Sequence, residues 1–242
     1  MKLNEDALTP LYKQITDVLK ADIQSGRYHT GDKIPSEAEL SQIYSVSRIT
    51  VRRAVEDLAN EGYLTKRQGK GTFVNPRKLA RKICPESNVQ SFTEACRADG
   101  REASAHVLTR DVVAPSQEAR EFLQLGDSDE LVYVKRVRCA DGIPIMLENN
   151  YFPTDRFAFM LSEELEDVSE FELIKKHLDL TPSATALCTL EIVLADAEKA
   201  DALQVAVGDP LFYEDNYFLD EYGNPLFLGQ QYIAGSRYIF NI

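Results

Sequence analysis

The chain has 242 residues, room for one large or two ordinary domains, and its 44% apolar and 27% charged content is that of globular protein. No apolar run reaches the ~18 residues of a membrane span. The opening Met1-Lys2-Leu3-Asn4-Glu5-Asp6 lacks the apolar core of a signal peptide, so a cytoplasmic protein is expected. The net charge of −12 would argue against nucleic acid if it were evenly spread, but it is not. Residues 1–82 carry 15 basic and 10 acidic side chains, whereas residues 83–242 carry 12 and 29. Such asymmetry suggests a nucleic-acid-binding segment joined to something else. Cys84, Cys96, Cys139 and Cys188 are scattered, with no CxxC pair and no histidine at ligand spacing. Reduced thiols are expected, and neither a metal nor a cofactor.

Pro10 precedes Leu11, Ile15, Val18, Leu19 and Ile23, an amphipathic helix that Gly26 stops. Ser36-Glu37-Ala38-Glu39 is a capping box opening a second, short helix, expected to bury Leu40, Ile43 and Tyr44. Ser45-Val46 turns the chain into a third helix. There Ser47 caps, and Val51, Ala54, Val55 and Leu58 form one apolar stripe. Arg48, Arg52 and Arg53 crowd its start, where the macrodipole favours anions, so they suit a helix end that faces a polyanion. Ile49 falls on the outward side. Tyr63–Arg67 and Thr72–Val74 are β-prone and flank Gln68-Gly69-Lys70-Gly71, a hairpin with a cation at its tip. A basic helix start alone usually means a solvated face. After a capped helix and before such a hairpin, it reads as a helix-turn-helix with a wing.

Residues 9–76 resemble the winged-helix domain of GntR-type bacterial transcription regulators. The resemblance rests on Pro10-Leu11-Tyr12-Lys13-Gln14-Ile15, Gly31-Asp32-Lys33-Ile34-Pro35-Ser36-Glu37, Ser47 through Ala54, and Glu61-Gly62-Tyr63-Leu64 through Gly69-Lys70-Gly71-Thr72-Phe73-Val74. It implies that Arg48 and Arg52 read guanines or clamp phosphates, and that Ser47 and Thr50 contact phosphates. Gly69 would approach the minor groove, flanked by Lys70 and Gly71. Ser36 and Arg53 complete the expected DNA-binding set, and Ile49 fits an apolar contact to a thymine methyl. Ala38 stands where some members carry a DNA-contacting arginine, so that contact is expected to be missing. Residues 1–75 are expected to be the DNA-binding domain. Residues 76–88, with Pro76, Pro85 and a basic run, form a linker.

Residues 89–242 alternate strand and helix patterns. Ser91-Phe92-Thr93-Glu94 is a second capping box. Strands are expected at 105–113, 131–140, 143–152, 186–194, 211–219 and 225–234, with helices at 115–125, 154–161, 169–178 and 196–204. Short turns join several strands, so the expected fold class is α+β with a largely antiparallel sheet. This stretch resembles the UTRA effector domain of the HutC-like branch, whose fold is shared with chorismate lyase. The landmarks are Ser91-Phe92-Thr93-Glu94, Lys135-Arg136-Val137-Arg138, Ile143 through Glu148 and Ser236-Arg237-Tyr238.

Arg136 and Arg138 lie two apart on one strand and so face one side, an arrangement that an anion between them would stabilise. The start of the Ser91 helix offers free N–H groups for such an anion. In an acidic domain the same arginines can simply pair with carboxylates. The resemblance places Ser91, Phe92, Thr93, Arg136, Arg138, Glu148 and Ser169 at the effector site. Relatives that bind phosphorylated amino sugars tend to carry a carboxylate and a tyrosine-arginine pair on the last strand. Here Phe227 and Ile233-Ala234 stand there, leaving Tyr232 and Gln231 as polar contacts. The expectation is a homodimer, more readily a repressor, that binds a palindromic operator under control of a small anion such as a sugar phosphate or organic acid. The alternative is an enzyme of chorismate-lyase-like chemistry on a carboxylate. It is disfavoured because His29, His106 and His177 are isolated and no nucleophile pattern stands out.

Overall fold

A computed structural model describes residues 9–75, 78–82 and 89–241, and the chain divides into two units, Met1–Arg77 and Lys78–Ile242. In the first unit, α1 (Leu11–Gln24) begins after Pro10 and buries Ile15 and Leu19. The capping box forms α2 (Glu37–Tyr44): Ser36 Oγ accepts from Glu39 N at 3.3 Å, and Ser36 N donates to Glu39 Oε2 at 2.8 Å. Ser45, in the left-handed region at φ 56°, turns the chain into α3 (Arg48–Asn60). The stripe Val51, Ala54, Val55 and Leu58 is buried against Ile15, Leu19, Ile34 and Leu40. Ile43, expected inside, is 61% exposed. Leu40 and Tyr44, four apart, take the inward line of this two-turn helix, and Ile43 falls about 100° from Tyr44.

The wing is β1 (Leu64–Arg67) paired antiparallel with β2 (Gly71–Val74), closed by Lys70 N donating to Arg67 O at 2.9 Å. The chain ahead of α2 braces it. Gly31 N donates to Val74 O, and Ile34 N to Thr72 O.

The second unit opens with β3 (Leu79–Lys82), inside the span expected to be linker. It pairs in parallel with β10 (Tyr238–Asn241) because Leu79 and Tyr238 are both buried against Cys96 and Ile233. Neither strand was expected. The remaining linker residues, 76–77 and 83–88, lie outside the described residues, as do the first eight. After β3 come α4 (Phe92–Ala98), β4 (Ala103–Val113), α5 (Gln117–Leu123), β5 (Leu131–Ala140) and β6 (Ile143–Pro153). Then follow α6 (Thr154–Phe157) with a 3-10 turn (Ala158–Leu161), α7 (Glu170–Leu178) and β7 (Pro182–Leu194). The unit closes with α8 (Ala197–Leu203), β8 (Pro210–Asp220), β9 (Pro225–Ala234) and β10.

The central sheet has the order β4-β5-β6-β9-β8-β7 and is antiparallel throughout. Asp141-Gly142, both at positive φ, turn β5 into β6. Helices α4, α6 and α7 cover one face, with α7 and the α6 segment on Val132, Val134, Phe152, Phe218 and Phe227. Helices α5 and α8 cover the other. On the α4/α7 face one cross-strand row reads Arg136, Glu148, Gln231, Glu214 over four neighbouring strands. A polar row inside a sheet core is costly unless its members satisfy one another, and it marks where the second site lies.

Candidate functional sites

The first site is the basic surface of α3 and the wing. Ser47 Oγ caps α3 by accepting from Thr50 N at 3.2 Å and lies 2.8 Å from Thr50 Oγ1. Arg48 is exposed and has no hydrogen bond or ion pair among the described residues. Ile49 beside it is 79% exposed. Arg52 is exposed but held, with Nε 3.0 Å from Glu37 Oε2. Lys66 shares that carboxylate at 3.5 Å and also approaches Glu56. Arg53 points elsewhere: its guanidinium stacks 3.9 Å over the Tyr12 ring. The hydroxyl of Ser36 is engaged in its capping box, donating to Glu39 Oε2 at 2.7 Å. At the tip, Gly69 has φ 70° and Lys70 is exposed. Gly71, at φ 121°, lies under Lys33, and a Cβ there would come 2.4 Å from Lys33 Cε. Arg48, Ile49 and Lys70 are therefore open to a partner, while the Ser47 and Thr50 hydroxyls meet each other. Arg52 must give up an ion pair, and Ser36 and Arg53 already have other occupations.

The second site is a cavity between the sheet and the starts of α4 and α7, lined by Phe92, Arg136, Arg138, Glu148, Asn150 and Gln231 among others. Its volume of about 30 Å³ holds one or two water molecules. Arg136 is fully buried and fully used. Its Nε and Nη2 donate to Glu148 Oε1 at 2.8 and 2.5 Å, and its Nη1 donates to the carbonyls of Leu165 and Val168. The anion between the two arginines is thus the protein's own Glu148, and Arg136 acts as scaffold. Arg138 differs. Its Nη1 lies 3.4 Å from Glu148 Oε1, its Nη2 donates to Thr93 Oγ1 at 2.9 Å, and Phe92 stacks on it. Its Nε is buried with no partner among the described residues.

Burial pulls the Arg138 guanidinium below its usual range, partly restored by Glu148, with Arg136 adding repulsion. Burial also acts on Glu148, but the two arginines outweigh it and hold its carboxyl below the ordinary range. Glu170 lies 3.3 Å from Arg136 Nη2, yet burial, with Glu148 adding to it, pushes its carboxyl up to about 7. Asn150 Nδ2 donates to Glu170 Oε2 at 2.5 Å.

Of the expected effector residues, Ser91, Phe92, Arg136, Arg138, Glu148 and Ser169 line this cavity, and Thr93 holds Arg138. Tyr232 does not belong to it. It stacks with Tyr213 on the opposite face, beneath Lys199, because strand alternation sends residue 232 the other way from Gln231. The helix start is also less free than expected. Glu94 Oε2 accepts from Ser91 N at 2.9 Å and from Ser91 Oγ, so the chain caps its own two-turn helix. Sequence reasoning missed Asn150, Glu170 and Phe171. The polar pair Asn149-Asn150 within an otherwise apolar strand was the available signal for the first.

Comparison with known proteins decides what these sites belong to. Residues 11–74 match the model of "Bacterial regulatory proteins, gntR family", and residues 98–239 match that of the UTRA domain. The chain belongs to the GntR family. It is similar to the uncharacterized HTH-type transcriptional regulator YurK of Bacillus subtilis, at 33% identity over 99% of this chain and 98% of that one. It is 28% identical to the transcriptional repressor NagR of the same organism over 99% and 97%. A probable fructoselysine utilization operon repressor of Escherichia coli is also 28% identical, over 96% and 93%. The crystal structure of PhnF from Mycobacterium smegmatis shares the fold, with a TM-score of 0.76 at 22% identity over 96% and 97%. This GntR chain is therefore a DNA-binding transcription regulator of the HutC-like kind, with a UTRA effector domain. The enzyme alternative falls, because the family and these relatives are regulators. Among the described residues no helix is long and apolar enough to cross a membrane.

Proposed function

We propose that this regulator is a cytoplasmic, homodimeric repressor. It binds a palindromic operator through α3 and the wing, and a small anion entering the cavity beside Arg138 releases it. The observation that carries the effector reading is Arg138 itself. A 4% exposed guanidinium with an unpartnered Nε at a cavity wall is a donor waiting for an acceptor. The relatives named as repressors support the sign of regulation. The dimer has its support in β7. This 13-residue strand is the edge of the sheet, with Leu187, Leu190, Ile192 and Leu194 exposed along it. A long apolar edge is normally covered, and a second copy would cover it.

The test begins with a thermal-shift screen of sugar phosphates and organic acids. Any acid that raises the melting temperature is then added to the protein bound to DNA from upstream of its own gene. Release at the same concentrations supports the reading, and DNA binding that ignores every stabilising acid refutes it. For the dimer, Ile192→Glu should convert a two-fold assembly to monomers in sedimentation. A variant that sediments as the wild type does would remove β7 from the interface.

A further inference from the structure

A carboxylate stands within the DNA-binding surface, where a polyanion should exclude it. Glu37 begins α2, directly after the N-cap Ser36. The macrodipole favours an anion there, and the capping box fixes the backbone beneath it. Its two oxygens reach in two directions. Oε2 accepts from Arg52 Nε on α3 at 3.0 Å, and Oε1 lies 3.5 Å from Lys66 Nζ on the wing strand β1. Lys66 Nζ is also 3.5 Å from Glu56 Oε1, one turn along α3 from Arg52. Arg52, Glu37, Lys66 and Glu56 thus form a chain of alternating charge across α2, α3 and the wing, and that chain is neutral.

A neutral chain is a poor clamp for phosphates. A cation already paired with a carboxylate releases few counterions when it meets DNA, so that part of the affinity falls to Arg48 and Lys70, which have no ion pair among the described residues. What the pairing leaves intact is direction. Only Nε of Arg52 is bound. Its Nη1 and Nη2 have no hydrogen bond among the described residues, and the side chain is 60% exposed. With Nε occupied, the N–H pair across Nη1 and Nη2 remains, and an arginine fork matches O6 and N7 of guanine in the major groove. To clamp a phosphate with its whole fork, Arg52 must give up Glu37; to face a base edge, it need not. We propose that Glu37 is a positioning residue for sequence reading: it holds Arg52 end-on to a guanine, and its charge disfavours docking on phosphates alone. Repulsion of the wrong complex is as effective for specificity as attraction of the right one. The inference rests on α3 and the wing meeting DNA, and it separates the residues that read from those that only attract.

The test uses the site footprinted upstream of the protein's own gene, made as a set of duplexes each with one base pair exchanged. Binding of the full chain is followed by fluorescence anisotropy across a salt series. The wild type should prefer guanine about tenfold at one position in each half of the site. Glu37→Gln should bring that preference to within about twofold and leave the other positions as they were, because the exchanged duplexes gain more affinity than the intact one. Glu37→Asp keeps the charge but draws it back by one methylene, so it should erode the same preference with the salt dependence unchanged. Arg52→Ala should lose the preference at that position, and Glu37→Gln should add nothing further to it. A Glu37→Gln effect shared evenly by all positions, or a guanine preference intact in either Glu37 variant, overturns the positioning role. An Arg52→Ala variant that keeps every preference overturns Arg52 as the reader. Both results leave DNA binding by α3 standing, whereas a wild type that binds no upstream duplex overturns that reading instead. Arg52→Lys, at an exposed position, keeps the charge without the fork. Retention of the guanine preference by that variant overturns the proposal even if the Glu37 variants fail to fold.

Discussion

Glu148→Gln tests the claim that the effector domain's core is built around one internal anion. Glu148 Oε1 accepts from Arg136 at 2.5 and 2.8 Å and stands 3.4 Å from Arg138. Removing its charge leaves two buried guanidiniums facing each other. Breaking such a pair typically costs about 3–5 kcal/mol. Glu170, 3.3 Å from Arg136, can recover part of this. With the competing carboxylate gone its pKa falls below about 7, and it ionises at neutral pH. A net loss of about 2–4 kcal/mol remains, which at ~2–4 °C per kcal/mol lowers the melting temperature by roughly 5–15 °C. Because Glu170 compensates, Glu148→Gln and Glu170→Gln should be more than additive. The assay is thermal unfolding followed by near-ultraviolet circular dichroism at neutral pH. A variant melting within about 1 °C of the wild type, or strict additivity, would refute the reasoning.

Glu37→Gln frees Arg52 and Lys66, which now share that carboxylate. DNA affinity should rise about two- to tenfold and the salt dependence steepen, measured by fluorescence anisotropy across a salt series. Gly71→Ala must hold an alanine at φ 121° against the Lys33 side chain. It should cost about 1–3 kcal/mol in the first unit and weaken DNA binding, read by melting and mobility shift. Burial raises the Glu170 carboxyl from 4.5 to about 7, so the folded state binds a proton there that the unfolded state has released. That group's contribution is full below pH 4.5 and lost as pH rises to about 7. Glu170→Gln should remove this decline from a denaturation series over the same range, and an unchanged slope would show that Glu170 does not titrate there.

What was legible in the sequence was local. The apolar stripe of α3, both serine-glutamate capping boxes and the Asp141-Gly142 turn depend on neighbours within four residues, and each formed as the pattern implies. The position of the buried arginine pair was legible too, since two residues apart on a strand means one face. What was not legible depends on partners far along the chain. Leu79 becomes a strand because Tyr238 lies beside it. Arg136 is scaffold because Leu165 and Val168 offer their carbonyls. Arg53 turns away because Tyr12 offers a ring. Tyr232 is a different kind of miss. Adjacent strand residues face opposite ways, so Gln231 and Tyr232 could never both line one cavity.

The central claim is that one chain couples an exposed basic helix to a buried, ligand-reading arginine. The most direct measurement is the affinity of the full chain for its upstream DNA with and without the best stabilising acid, repeated with Arg138→Ala. The account predicts that the acid weakens DNA binding of the wild type. DNA should in turn weaken binding of the acid by the same factor, and Arg138→Ala should abolish both effects. An undiminished response in Arg138→Ala would contradict it.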